Sequence, residues 1–147
     1  MRGFKLIALK TGAEKKRFIT IPNSKRRIDP YRVLKLNTVY PFYSNFTFPS
    51  NNLNEVVKSD NQIIDLFSAN IGEHSLSINI NAIVGKNGSG KSSLIELLYL
   101  ATYNIGCNLK LLRDPKDNRV LSPFKELELE IFYSIDDKFY LVSLVGG

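Results

Sequence analysis

The residues best suited to chemistry are eight in a row, Gly85-Lys86-Asn87-Gly88-Ser89-Gly90-Lys91-Ser92. They match the pattern G-x-x-x-x-G-K-[ST] without a mismatch. A chain that wraps a triphosphate must turn its backbone N–H groups inward. Glycine allows that tight curl without a side-chain clash. Lys91 then offers a point charge to the β- and γ-phosphate oxygens, and the Ser92 hydroxyl a ligand for Mg²⁺. Ser93 is placed to bond the α-phosphate. The competing reading is plain turn chemistry, because a glycine loop before a helix can also be a simple connector.

Such a loop works only if its neighbours aim it. Upstream, Ala82–Val84 reads as a short buried strand, and Ser75–Ile80 alternates polar and apolar as a half-buried strand does. Downstream, Leu94, Leu97, Leu98 and Ala101 fall at helical spacing, which predicts a helix from Ser92 to near Gly106. Its first turn directs unpaired N–H groups and the positive end of the helix dipole at the same phosphates.

The rest of the chain reads mostly as strand. Phe4–Lys10 and Arg17–Pro22 are two strands, and the stretch between them, holding Gly12, suits a hairpin loop. Residues 23–30 form a polar turn, and Val33–Tyr40 a further strand. Beyond the break at Pro41 come the aromatic positions Phe42, Phe46 and Phe48, then a loop at 50–54. A short helix is expected around Gln62–Phe67. At the end, Leu127, Leu129 and Ile131 alternate with Glu126, Glu128 and Glu130. Asp136–Asp137–Lys138 makes the turn of a trailing hairpin.

Composition bounds the classes. A chain of 147 residues can bury one ordinary core, and 44% hydrophobic with 23% charged residues fits a soluble globular protein. No apolar run approaches the roughly 18 to 20 residues of a membrane span. Lys5 and Lys10 interrupt any signal-peptide core, so a cytoplasmic protein is expected. Cys107 and His74 each stand alone, which excludes an internal disulfide and argues against Cys- or His-based metal sites and His triads. Eleven of the 20 Lys and Arg residues precede Leu36, against two acids, Glu14 and Asp29. This basic β-hairpin region, residues 1–36, suits nucleic acid phosphates or is simply a solvated rim.

The longer run Ile80–Leu98, "INAIVGKNGSGKSSLIELL", resembles the phosphate loop of the ABC ATPase superfamily. It is most similar to the SMC, RecF-like and OLD-like branch of AAA family ATPases. The resemblance implies an α/β fold: a P-loop NTPase lobe with a β-rich, largely antiparallel N-terminal sheet and a trailing β-hairpin. It implies that ATP and Mg²⁺ are held by Gly85, Lys86, Asn87, Gly88, Ser89, Gly90, Lys91, Ser92 and Ser93. Tyr43, Ser44 and Asn45 would lie near the adenine and α-phosphate, although Tyr43 also reads as an ordinary packed aromatic. It further implies an ATPase whose second head, in a homodimer, supplies a signature motif, with DNA as a partner in maintenance, repair or anti-phage defence.

Two features depart from that pattern. Pro49–His74 is a longer insertion than compact members carry. The only glutamine, Gln62, precedes the loop, and no Ser-Gly-Gly signature follows it. Asp136 and Asp137 imitate the end of an acidic Walker B strand, but their place in an alternating hairpin favours a turn. The 147 residues are therefore expected to be a single N-terminal ATP-binding lobe of a longer ATPase. The alternatives are an ABC-transporter nucleotide-binding subunit and, less favoured, a kinase or GTPase.

Overall fold

The computed structural model describes residues 3–13, 17–59, 67–71, 74–78, 88–136 and 138–145. Contacts divide the chain into two units. One comprises Met1–Lys10, Thr38–Ile83 and Glu130–Ser143; the other comprises Thr11–Asn37, Val84–Leu129 and Leu144–Gly147.

A four-stranded sheet dominates the first unit. Its strands are β1 (Phe4–Thr11), β4 (Val39–Pro41), β9 (Leu129–Ile135) and β10 (Lys138–Leu144), in the order β10-β9-β1-β4. β1 pairs antiparallel with β4, Leu9 opposite Tyr40. Only residues 136–137 separate β9 from β10, so these neighbouring strands run antiparallel. Asp136 occupies it at φ 49°, the left-handed conformation such turns favour. Its carboxylate accepts the Gly3 N–H at 2.8 Å, and its own N–H reaches the Gly3 carbonyl at 3.1 Å. The trailing hairpin is as expected, and Asp136 is a turn residue tied to the start of β1. Asp137 lies outside the described residues.

Alternation along β9 sends Phe132 to one face and Tyr133 to the other. Phe132 stacks on Phe139 at 5.6 Å, while Tyr133 stacks on Tyr140 at 5.3 Å. The Phe132 side forms a core with Ile7, Ala8, Phe46 and Leu53. Val39, Tyr43, Phe48 and Val56 pack around it. Two small antiparallel ladders complete this unit: β5 (Phe46–Thr47) with β6 (Val57–Lys58), and β7 (Phe67–Ile71) with β8 (His74–Ile78). β8 confirms most of the strand expected at Ser75–Ile80. Phe67 begins a strand rather than ending a helix; residues 60–66, where the rest of that helix was expected, lie outside the described residues, as do Ala82–Val84.

The second unit holds one helix, α1 (Lys91–Asn108), among its described residues, and a short ladder of β2 (Ile19–Thr20) with β3 (Arg27–Ile28). α1 buries Ser93, Leu94, Leu97, Ala101, Asn104 and Cys107 along one side. The Asn104 side chain clamps Phe124, donating to its carbonyl and accepting its N–H, both at 2.8 Å. Pro30, Tyr31, Ile19 and Leu127 are fully or almost fully buried.

Two sequence expectations fail here for physical reasons. The strand at Phe4–Lys10 does not pair with the one at Arg17–Pro22. β1 lies inside the sheet with both edges taken by β9 and β4, so β2 pairs with β3 instead. Nor is Val33–Tyr40 a continuous strand. Arg32 and Asn37 are left-handed at φ 50° and 46°, and the Leu34 N–H bonds back to the Tyr31 carbonyl at 2.8 Å. The chain becomes strand only at Val39.

Candidate functional site: a glycine loop at the start of a helix

The described part of the glycine loop is Gly88–Ser93. Gly85, Lys86 and Asn87, the first three residues of the motif, lie outside it. Gly88 stands at φ 82° and Gly90 at φ 95°, conformations that side chains disfavour. The two positions constrain substitution differently. A Cβ on Gly88 would meet nothing within 4 Å, so only its backbone conformation demands glycine. On Gly90 a Cβ would also lie 2.6 Å from Leu34 Cδ2 and 3.3 Å from Val33 Cγ2.

Gly90 is the N-cap of α1, and its carbonyl accepts the first helical hydrogen bond, from Leu94 N–H at 2.9 Å. As a glycine it contributes no capping side chain. The N–H groups of Ser92 and Ser93 therefore precede the first bond of the helical ladder. No acid stands in the first turn. The positive end of the helix dipole lies here, and such an end favours negative charge. Lys91 is half-buried, Ser92 exposed and Ser93 buried on the packed side of the helix.

Ser92, the hydroxyl expected to ligate Mg²⁺, is the second residue of α1. No group of three or more His, Cys, Asp or Glu side chains among the described residues could hold a metal ion. Mg²⁺ asks for few protein oxygens, because it keeps several waters and takes others from phosphate.

Tyr43, Ser44 and Asn45 belong to the first unit. Tyr43 is half-buried, edge-on to Phe46 at 6.4 Å, and packs against the core. Ser44 is exposed. The Asn45 backbone carbonyl accepts the Ser59 N–H at 2.9 Å. Its side-chain Oδ1 is buried and has no hydrogen-bond partner among the described residues. A buried acceptor left that way is costly, and an amine donor would satisfy it.

Elsewhere in the second unit, a cleft of about 590 Å³ runs between Thr20–Lys25 and Ser122–Glu126. Lys25 and Lys125 line it. The Glu126 carboxylate is occupied there by the Thr20 N–H at 2.7 Å and hydroxyl at 3.1 Å; the Thr20 N–H in particular holds it below its ordinary ionisation range. Sequence reasoning missed Val33 and Leu34 as neighbours of the glycine loop. No motif marks them, and an apolar pair in a β-like stretch reads as strand.

Residues 50–136, more than half of the chain, match the family described as the AAA domain. No curated protein and no solved structure matches the chain. Among the described residues, no helix is long and apolar enough to cross a membrane.

Proposed function

Because the chain belongs to the AAA domain family, whose members are nucleotide-binding ATPases, we propose that it is the ATP-binding lobe of an SMC-like or RecF-like ATPase. The observation that carries this reading is the pair of left-handed glycines, Gly88 and Gly90, leading directly into α1 at Lys91. In this reading the loop Gly85–Gly90 and the first N–H groups of α1 cradle the phosphates. Lys91 neutralises the β- and γ-oxygens, and Ser93 bonds the α-phosphate. Ser92 gives one ligand to Mg²⁺, which offsets the charge on the phosphates. Tyr43, Ser44 and Asn45 are the residues this reading would bring near the adenine and α-phosphate; the Asn45 Oδ1 has no hydrogen-bond partner among the described residues.

Binding then lets the lobe engage a second head that supplies the signature motif, in a cytoplasmic protein acting on DNA. The 147 residues by themselves are expected to bind Mg-ATP without sustained turnover. Phosphoryl transfer depends on positioning and charge stabilisation, and Asp136, the described candidate acid, is held in a hairpin turn. Titrating the chain with a fluorescent ATP analogue and Mg²⁺ tests both statements. Saturable binding is expected, weakened at least about tenfold by Lys91→Ala, a charged contact being worth roughly 1.5–3 kcal/mol. Equal affinity in Lys91→Ala would sink the reading. Steady hydrolysis abolished by Asp137→Asn would move the catalytic acid into the hairpin.

A further inference from the structure

We infer that the turn over residues 29–34 is the seat on which Gly90, at the start of α1, rests, and that Arg32 is its positioning residue, latching the turn to α1 through Glu96. The functional consequence of this latch rests on the nucleotide reading above; the latch itself does not.

The turn is over-determined from within. Asp29 Oδ1 accepts the N–H groups of Tyr31 at 3.0 Å and Arg32 at 2.9 Å, and Oδ2 accepts Arg17 Nε at 2.7 Å. Arg17 also donates to the Arg32 carbonyl. Pro30 and Tyr31 anchor it in the packed interior. An element held this way has little freedom to follow a neighbour, so the neighbour conforms to it.

It makes two contacts with the glycine loop and helix. Leu34, 5% exposed, closes on Gly90 so tightly that one added methyl would lie 2.6 Å from its Cδ2. Arg32 reaches α1 itself, its NH2 lying 3.1 Å from Glu96 Oε1 and 2.9 Å from Oε2. Glu96 lies five residues beyond Lys91, about one and a half helical turns. Leu34 thus fixes the point where the helix begins, and Arg32 fixes a second point along it. Two points set the direction in which the N–H groups of Lys91–Ser93 face. That direction decides how well they meet a phosphate. Arg32 is exposed and Glu96 half-buried in this ion pair, so it adds little to overall stability. Its role is alignment.

The test compares Arg32→Glu with the charge-swapped double variant Arg32→Glu/Glu96→Arg, which keeps the parent's net charge. Arg119→Glu, in the loop beyond α1 and paired with Asp117, controls for a simple change of charge. In the nucleotide-free chain, amide exchange at Leu94 is expected to quicken about two- to fivefold in Arg32→Glu, the range an exposed ion pair can supply. Affinity for the fluorescent ATP analogue with Mg²⁺ should fall by a similar factor, the thermal midpoint staying within about 2 °C. The swap should restore exchange and affinity, and Arg119→Glu should change neither. Unchanged exchange at Leu94 in Arg32→Glu overturns the latch. So does a swap that fails to restore exchange. If exchange behaves as stated while the parent binds no nucleotide, the latch stands and the nucleotide reading falls.

Discussion

Tyr31 is the side chain whose ionisation the fold perturbs most legibly. Its ring is fully buried and its hydroxyl donates to the Glu128 carbonyl at 2.6 Å. Gly12 makes room for this: a Cβ there would lie 2.4 Å from the Glu128 oxygen and 2.8 Å from the phenol oxygen. Burial, above all, pushes the phenol up to about 12 from its ordinary 10. The folded chain keeps a proton that the unfolded chain releases, so the stabilisation is whole below pH 10 and lost as pH climbs from 10 toward 12. Tyr31→Phe should unfold more easily at pH 9, by about 1 kcal/mol, because the Glu128 carbonyl loses its donor. Between pH 10 and 12 its stability should fall less steeply than the parent's. Tyr103, also raised by burial, leaves some slope in both proteins. Urea midpoints across that range provide the measurement, and parallel slopes count against the assignment.

α1 shows what a pattern reveals and what it conceals. Its apolar spacing and the Gly-Lys-Ser start were readable, and the helix begins at Lys91 as the motif requires. Its end was readable to within two residues: it was expected near Gly106, and the helix runs to Asn108. Gly106 serves close packing, since a Cβ there would lie 2.8 Å from Leu112 Cγ. The true stop is a Schellman turn: Leu111 N–H to Gly106 carbonyl at 2.8 Å and Lys110 N–H to Cys107 carbonyl at 2.9 Å. Lys110 occupies its left-handed position at φ 58°, where glycine is usual. Lys110→Gly should therefore stabilise the protein, by up to about 1 kcal/mol of unfolding free energy in urea. An unchanged or lower value would mean that the Lys110 side chain contributes more than its strain costs. The failed hairpin between β1 and β2 has a similar origin. Local pattern identifies strands, but not which edges distant segments such as β9 and β4 have already taken. Val33 and Leu34 likewise had the composition of a strand, while Asp29, through its bonds to the Tyr31 and Arg32 N–H groups, holds the chain just before them in a turn.

Across the whole chain, charge is distributed unevenly. Residues 1–35 carry eleven basic side chains against two acids, and the remainder carries nine against twelve. Much of that basic stretch, from Thr11 to Asn37, belongs to the unit that also contains the described part of the glycine loop. Lys25, Arg26 and Arg27 are exposed there on the β2–β3 hairpin. Arg27 lies over the Phe18 ring at 5.6 Å and donates to the Phe18 carbonyl at 3.3 Å, which holds its charge near the surface rather than free to roam. Lys25 also lines the cleft that Lys125 shares. A surface of this kind would attract a phosphate backbone chiefly by releasing its counterions, and such binding weakens linearly in log K against log[salt]. If the hairpin makes that contact in the proposed DNA-acting protein, replacing Lys25, Arg26 and Arg27 with Glu should weaken duplex DNA binding. It should also flatten the slope by roughly 2 to 3, near 0.9 for each phosphate contact removed. Fluorescence anisotropy with one duplex at several salt concentrations reads both quantities. A slope identical to the parent's would leave these three side chains as a solvated rim, with any DNA contact made elsewhere.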